Sequence, residues 1–121
     1  VGLYPESRPD PLGDYLASLQ RTIELAPRIV YPGHGEPIAN AAERAREIVQ
    51  HHHMRLDQVA AALSSDPRSG FAVSLEVFGA ELAPQQRRFA VAETLSHLER
   101  LVREGRARRH GSADGVAYTA P

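Results

Sequence analysis

Apolar residues open the chain at helical intervals: Leu12, Leu16, Leu19 and Ile23 follow one another at steps of 4, 3 and 4, which gathers them on one helix face. Asp10-Pro11 supplies a start signal, an acceptor side chain followed by a proline suited to the first helical position, and the segment closes near Pro27. Arg28-Ile29-Val30-Tyr31 is short and rich in β-branched residues, and it stops at Pro32-Gly33-His34-Gly35. That pattern predicts a strand running into a tight loop. Asn40-Ala41-Ala42-Glu43 then has the form of a capping box with Asn as acceptor. It opens a long predicted helix over Ala41 to Leu63, with Ile48, Leu56, Val59 and Leu63 as its apolar stripe and His52 on that same stripe.

Beyond this helix the pattern changes. Ser64 to Gly70 is built of Ser, Asp, Pro and Gly and reads as a linker, with a module boundary near it. Ser74 is expected to cap a short helix through Phe78, and Gly79 to Pro84 to make a turn. Val91, Leu95, Leu98 and Val102 then mark a longer helix that ends at Gly105. Arg106 to Arg109 and Val116 to Thr119 flank the tip Gly111-Ser112-Ala113-Asp114-Gly115, which predicts a β-hairpin. Helix, turn, longer helix and hairpin is the order of a winged-helix module, for which residues 41–63 would supply the first helix. The expected class is therefore α+β and mostly helical.

Composition narrows the chemistry. At 121 residues with 42% hydrophobic and 24% charged positions, the chain is an ordinary globular sequence able to bury a core, and its longest apolar run, Val59 to Leu63, is far too short to span a bilayer. No membrane contact is expected, and with no signal segment at the start the expected location is the cytoplasm. There is no cysteine, which leaves His, Asp and Glu to hold any metal. All 14 basic residues are arginine, and they are unevenly placed: residues 1–86 carry a net charge of −4 and residues 87–121 a net +3. Arg100, Arg103, Arg106, Arg108 and Arg109, with Arg87 and Arg88, make that basic excess, a candidate surface for nucleic acid. Glu93, Glu99 and Glu104 interrupt it.

His34 is the most informative single residue, because its glycine neighbours let the backbone turn sharply and leave room for an incoming metal or substrate. One histidine does not make a metal site, since a catalytic zinc takes about three protein ligands. His51, His52 and His53 point about 100° apart on a helix and so do not chelate one ion together; one is expected packed and two solvated. His97 and His110 are isolated in the sequence. His51, Arg55 and Gln58, at i, i+4 and i+7, form a polar stripe, either solvated or lining a site or an inter-module contact. No phosphate loop, nucleophile elbow or helical zinc-protease motif is present.

The run Leu12-Gly13-Asp14-Tyr15-Leu16-Ala17-Ser18-Leu19, then Ile29 to Ile38 around Pro32-Gly33-His34-Gly35, then Asn40-Ala41, then His51 with Arg55 and Gln58, resembles the C-terminal part of metallo-β-lactamase-fold hydrolases. Within that superfamily it is most similar to the lactamase-β-like, endoribonuclease-like group, whose members carry a winged-helix domain after the hydrolase fold; Leu95 to Arg106 resembles that domain's long helix. The resemblance covers about residues 3–119. It implies the last helix and strand of an αββα sandwich over residues 1–39, an incomplete edge of the hydrolase domain, and a winged-helix domain over residues 40–121. It further implies that His34, supported by Gly33 and Gly35, is the last ligand of a two-zinc site that activates water toward a phosphodiester such as RNA or an acyl or thioester substrate. The family's His-x-His-x-Asp-His motif and bridging aspartate are not found here, so the missing core is the implied partner. The piece alone is expected to be inactive and to hold no stoichiometric zinc. Two other readings stay open: a stand-alone winged-helix nucleic-acid binder, and an oligomerisation module giving a homo-oligomer.

Overall fold

The computed structural model describes residues 1–113 and 115–121. Four helices and one hairpin follow in order: α1 (Pro11–Leu25), α2 (Ala41–Ala61), α3 (Gly70–Phe78), α4 (Pro84–Arg103), β1 (Arg108–Ser112) and β2 (Gly115–Thr119). The starts of α1 and α2 are where local chemistry puts them. Asp10 accepts the Gly13 N–H ahead of Pro11, and Asn40 accepts the Glu43 N–H, so each side chain satisfies a donor the helix leaves unpaired. Glu104 and Gly105 close α4 in a Schellman arrangement: Gly105 takes φ 75°, its N–H reaches the Val102 carbonyl, and the Arg106 N–H reaches the Leu101 carbonyl.

One core unites these elements. Leu12 of α1, Leu56 and Val59 of α2, Val73 of α3, Leu98 and Leu101 of α4, and Ala107 and Tyr118 at the hairpin are buried together. α4 lies at the centre, with α1, α2, α3 and β1 packed on it. Its covered surface is consequently wider than the predicted stripe. Ala90, Ala92, Thr94, Ser96, His97 and Glu99 are buried beside Leu98, while Val91, Leu95 and Val102 are only half-buried.

Several expectations are corrected. The strand over residues 28–31 does not form; Val30 pairs only with Ile38, in a single antiparallel bridge, because among the described residues no neighbouring strand offers it a ladder. Helix α3 starts earlier than Ser74: Ser69 caps it by accepting the Ala72 N–H, while Ser74 sits buried inside the helix with its hydroxyl on the Phe71 carbonyl. Ser64 to Gly70 is not a loose linker. Arg68 exchanges two backbone hydrogen bonds with Tyr118, its guanidinium donates to the carbonyls of Ala62 (2.8 Å) and Ala72 (3.2 Å), and the Ala120 N–H reaches the Ser64 carbonyl. The first hairpin strand begins at Arg108 rather than Arg106, since the Arg106 N–H is taken by the end of α4. Gly111, Ser112 and Gly115, assigned to the tip from the sequence, belong to the strands, with Gly111 opposite Val116 and Ser112 opposite Gly115. Asp114 of that tip lies outside the described residues. Among the described residues no helix is long and apolar enough to cross a membrane.

Candidate functional site

The loop with His34 is assembled by two local events. Ala26 turns left-handed (φ 45°) and ends α1, its N–H on the Thr22 carbonyl. Val30 and Ile38 then exchange backbone hydrogen bonds of 2.9 and 2.7 Å, which close the base of a loop whose far side is Gly33-His34-Gly35. Gly35 takes φ +87°, a conformation that favours glycine. A Cβ placed on Gly33 or Gly35 would meet no atom within 4 Å, so the tip stands in open space with His34 exposed. Its neighbours are apolar and uncovered: Leu25 is 79% exposed, Tyr31 76% and Ile29 46%. Three large apolar side chains within seven residues thus face water.

Among the described residues, His34 is an exposed imidazole on an open loop and is not part of a group of three or more potential metal ligands.

The polar stripe of α2 is split. His51 and Gln58 are exposed, whereas Arg55 turns onto α3, its guanidinium 4.3 Å from the Phe78 ring centroid and its buried Nε without a hydrogen-bond partner among the described residues. Arg55 thus packs α2 against α3 by a cation–π contact.

The arginines behave differently from a free cationic face. Arg100 donates to Asp10 (2.8 Å) and Glu104 (3.1 Å), Arg103 lies 3.9 Å from Asp10, Arg106 pairs with Asp57 (2.7 Å), and Arg109 pairs with Glu99. Arg108 is exposed. The buried Glu99 also accepts the Tyr118 hydroxyl at 2.6 Å, and burial together with this hydrogen bond pushes the Tyr118 phenol above its ordinary pKa.

The histidine trio divides as expected: His52 is buried, His51 and His53 are exposed. His97, however, is not isolated. It is fully buried, and its Nε2 lies 3.5 Å from His52 Nδ1 across the α2–α4 junction, with the rings 5.6 Å apart. His97 Nδ1 donates to the Glu93 carbonyl at 2.8 Å, and the Tyr15 ring meets His52 edge-on at 5.7 Å. Burial lowers the pKa of both imidazoles, that of His52 to about 4, so both are neutral near pH 7. Glu93, His97 and His52 each offer a ligand atom within 4.8 Å of the others. The sequence signal for this cluster was the four-residue step from Glu93 to His97 together with the position of His52 on the apolar stripe; the 45-residue separation of the two histidines hid it.

Comparison with known proteins gives a consistent family. The family described as metallo-beta-lactamase-like, C-terminal domain, matches residues 56–119. The chain is 34% identical over 97 residues to the probable metallo-hydrolase YqjP of Bacillus subtilis, a stretch that is 80% of this chain and 30% of that protein. The whole chain is similar to 37% of a metallo-beta-lactamase family protein from Thermus thermophilus (TM-score 0.82, 40% identity). It is also similar to 37% of a beta-lactamase domain protein from Burkholderia ambifaria (TM-score 0.86, 32% identity). The chain thus spans about a third of the length of these relatives.

Proposed function

Because the chain belongs to the metallo-beta-lactamase-like C-terminal domain family, we propose that it forms the C-terminal part of a zinc-dependent hydrolase in which His34 is one of the metal ligands. The observation that carries this reading is the setting of His34: an exposed imidazole between two glycines, on a loop with empty space around its tip and uncovered apolar residues beside it. The hydrolase core would cover Leu25, Ile29 and Tyr31 and bring the other ligands. When bound, paired zinc ions lower the pKa of a coordinated water and stabilise the charge that develops on the attacked group. This chain's part is to hold one neutral nitrogen at the open end of that site, with Gly33 and Gly35 allowing close approach. A phosphodiester such as RNA and an acyl or thioester compound are the two substrate classes.

Residues 40–121 serve as a winged-helix domain. The order α2, α3, α4 and hairpin supports this, as does the bridge from Arg68 to Tyr118, which adds a short third edge to the hairpin between the first two helices of the module. Its role in this reading is packing against the core, and Asp10, Asp57, Glu99 and Glu104 pair with four of the five hairpin-side arginines. The module works in the cytoplasm.

In the full-length protein, His34→Ala is expected to lower hydrolysis of RNA or of a glutathione thioester by about two orders of magnitude or more and to remove bound zinc, with the melting temperature of this domain unchanged. Full zinc content and full activity in that variant would overturn the assignment.

A further inference from the structure

We propose that His52, Glu93 and His97 form a second metal site, independent of His34, which takes zinc or a similar divalent ion and clasps α2 to α4. The proposal goes beyond the hydrolase reading and stands without it. It departs from the expectation that this piece, with histidines isolated in sequence, holds no metal of its own.

Four features of the cluster point the same way. First, His52 Nδ1 and His97 Nε2 are 3.5 Å apart, longer than the usual ~2.9–3.0 Å of a hydrogen bond. The separation is close to the roughly 3.4 Å between two nitrogens that each lie about 2.1 Å from one tetrahedral zinc. Second, the outer nitrogen of His97 is already committed: Nδ1 donates to the Glu93 carbonyl at 2.8 Å. That bond fixes the tautomer with the Nε2 lone pair turned toward His52, the arrangement that ligating histidines ordinarily have. Third, the Glu93 carboxylate has no ion pair or hydrogen bond among the described residues, although it is only half-exposed and lies one turn before His97 on the same helix face. One of its oxygens lies within 4.8 Å of a nitrogen of each histidine. Fourth, both rings are buried between α2 and α4, His52 at 7% and His97 at 0% exposure, which shields the cluster from bulk water.

Two imidazoles and a carboxylate suit zinc and other borderline divalent ions rather than calcium or magnesium, which prefer oxygen. Three protein ligands leave a fourth position for water, and the partly exposed Glu93 marks the entrance. Because the ligands come from two helices distant in sequence, binding acts on the folded state alone and adds to its stability.

The test uses the metal-stripped 121-residue chain, titrated with zinc by calorimetry and with cobalt(II), whose visible absorption reports tetrahedral nitrogen and oxygen ligation. One ion per chain is expected, with a rise in melting temperature. His52→Asn should abolish the cobalt bands, and Glu93→Gln, a half-exposed position that leaves the core intact, should weaken binding by about tenfold or more. His34→Ala and the paired change His51→Ala with His53→Ala should leave it intact. Absence of binding by the unaltered chain would overturn the proposal. So would binding that survives Glu93→Gln and His52→Asn but disappears with the exposed histidines, which would trace it to the surface trio.

Discussion

His34 and the pair His52–His97 place the same side chain in opposite settings. The first stands on a loop held at its base by one pair of backbone hydrogen bonds, with open space around both flanking glycines and exposed Leu25 and Tyr31 nearby. The second pair is sealed between two long helices, in contact with Tyr15 and near the fully buried Leu56 and Leu98. The loop contributes little to stability, since Leu25, Ile29 and Tyr31 face water and His34 is exposed. The junction does the reverse: it holds the chain together, and any chemistry it has is internal. Loops positioned on a packed scaffold commonly divide labour in this way.

The largest effect that separates the two regions is on stability. Leu98 is fully buried in the core shared by all four helices and the hairpin, so Leu98→Ala leaves a cavity and should cost about 2–5 kcal/mol in urea unfolding. Tyr31→Ala, at a 76% exposed position, should stay within about 0.5 kcal/mol. Equal costs would mean that the loop is packed as firmly as the junction.

What the sequence disclosed follows the same division. Features set by neighbouring residues were legible: Asp10 before Pro11 starts α1, Asn40 caps α2, Gly105 ends α4, and the steps from Leu12 to Leu19 mark a buried face. The open setting of His34 was legible because its glycines sit beside it in the chain. Features set by distant residues were not. Ser74 looks like a cap until Val73 and Ser74 are seen to be inside the core, leaving Ser69 at the end. Residues 64–70 have the composition of a linker, but Arg68 ties them to Tyr118, fifty residues onward in the chain. The ion pairs of Arg100 and Arg106 were hidden because their partners Asp10 and Asp57 lie far from them in sequence. His97 gained its meaning only when α4 was laid against α2.

A smaller effect sharpens how the hairpin is fastened to the junction. Tyr118 donates to the buried Glu99, which also pairs with Arg109. Tyr118→Phe removes one donor and should cost about 1–2 kcal/mol near pH 7. Burial and the Glu99 hydrogen bond raise the Tyr118 pKa in the folded chain, so above pH ~10 the unfolded chain releases a proton that the folded one keeps. The stability this group contributes is therefore complete below that pH and is lost as pH rises beyond it. Denaturant titrations of both proteins should show the gap between them narrowing above pH ~10. A gap that stays constant would show that the phenol is not held protonated by Glu99.

The smallest expected effect lies back in the loop, at Gly33. No atom within 4 Å would meet a methyl group there, and only Gly35 of the two glycines has a positive φ. Gly33→Ala therefore introduces neither clash nor strain, and it slightly restricts the unfolded chain, so the stability of the 121-residue chain should change by less than about 0.5 kcal/mol. The space is empty in this chain, but in a full-length hydrolase it is where the core and its metals would approach His34. The same methyl should then lower hydrolysis while the domain's melting temperature is untouched. Loss of stability without loss of activity would reverse the comparison, making the loop part of the scaffold and leaving His34 without a task.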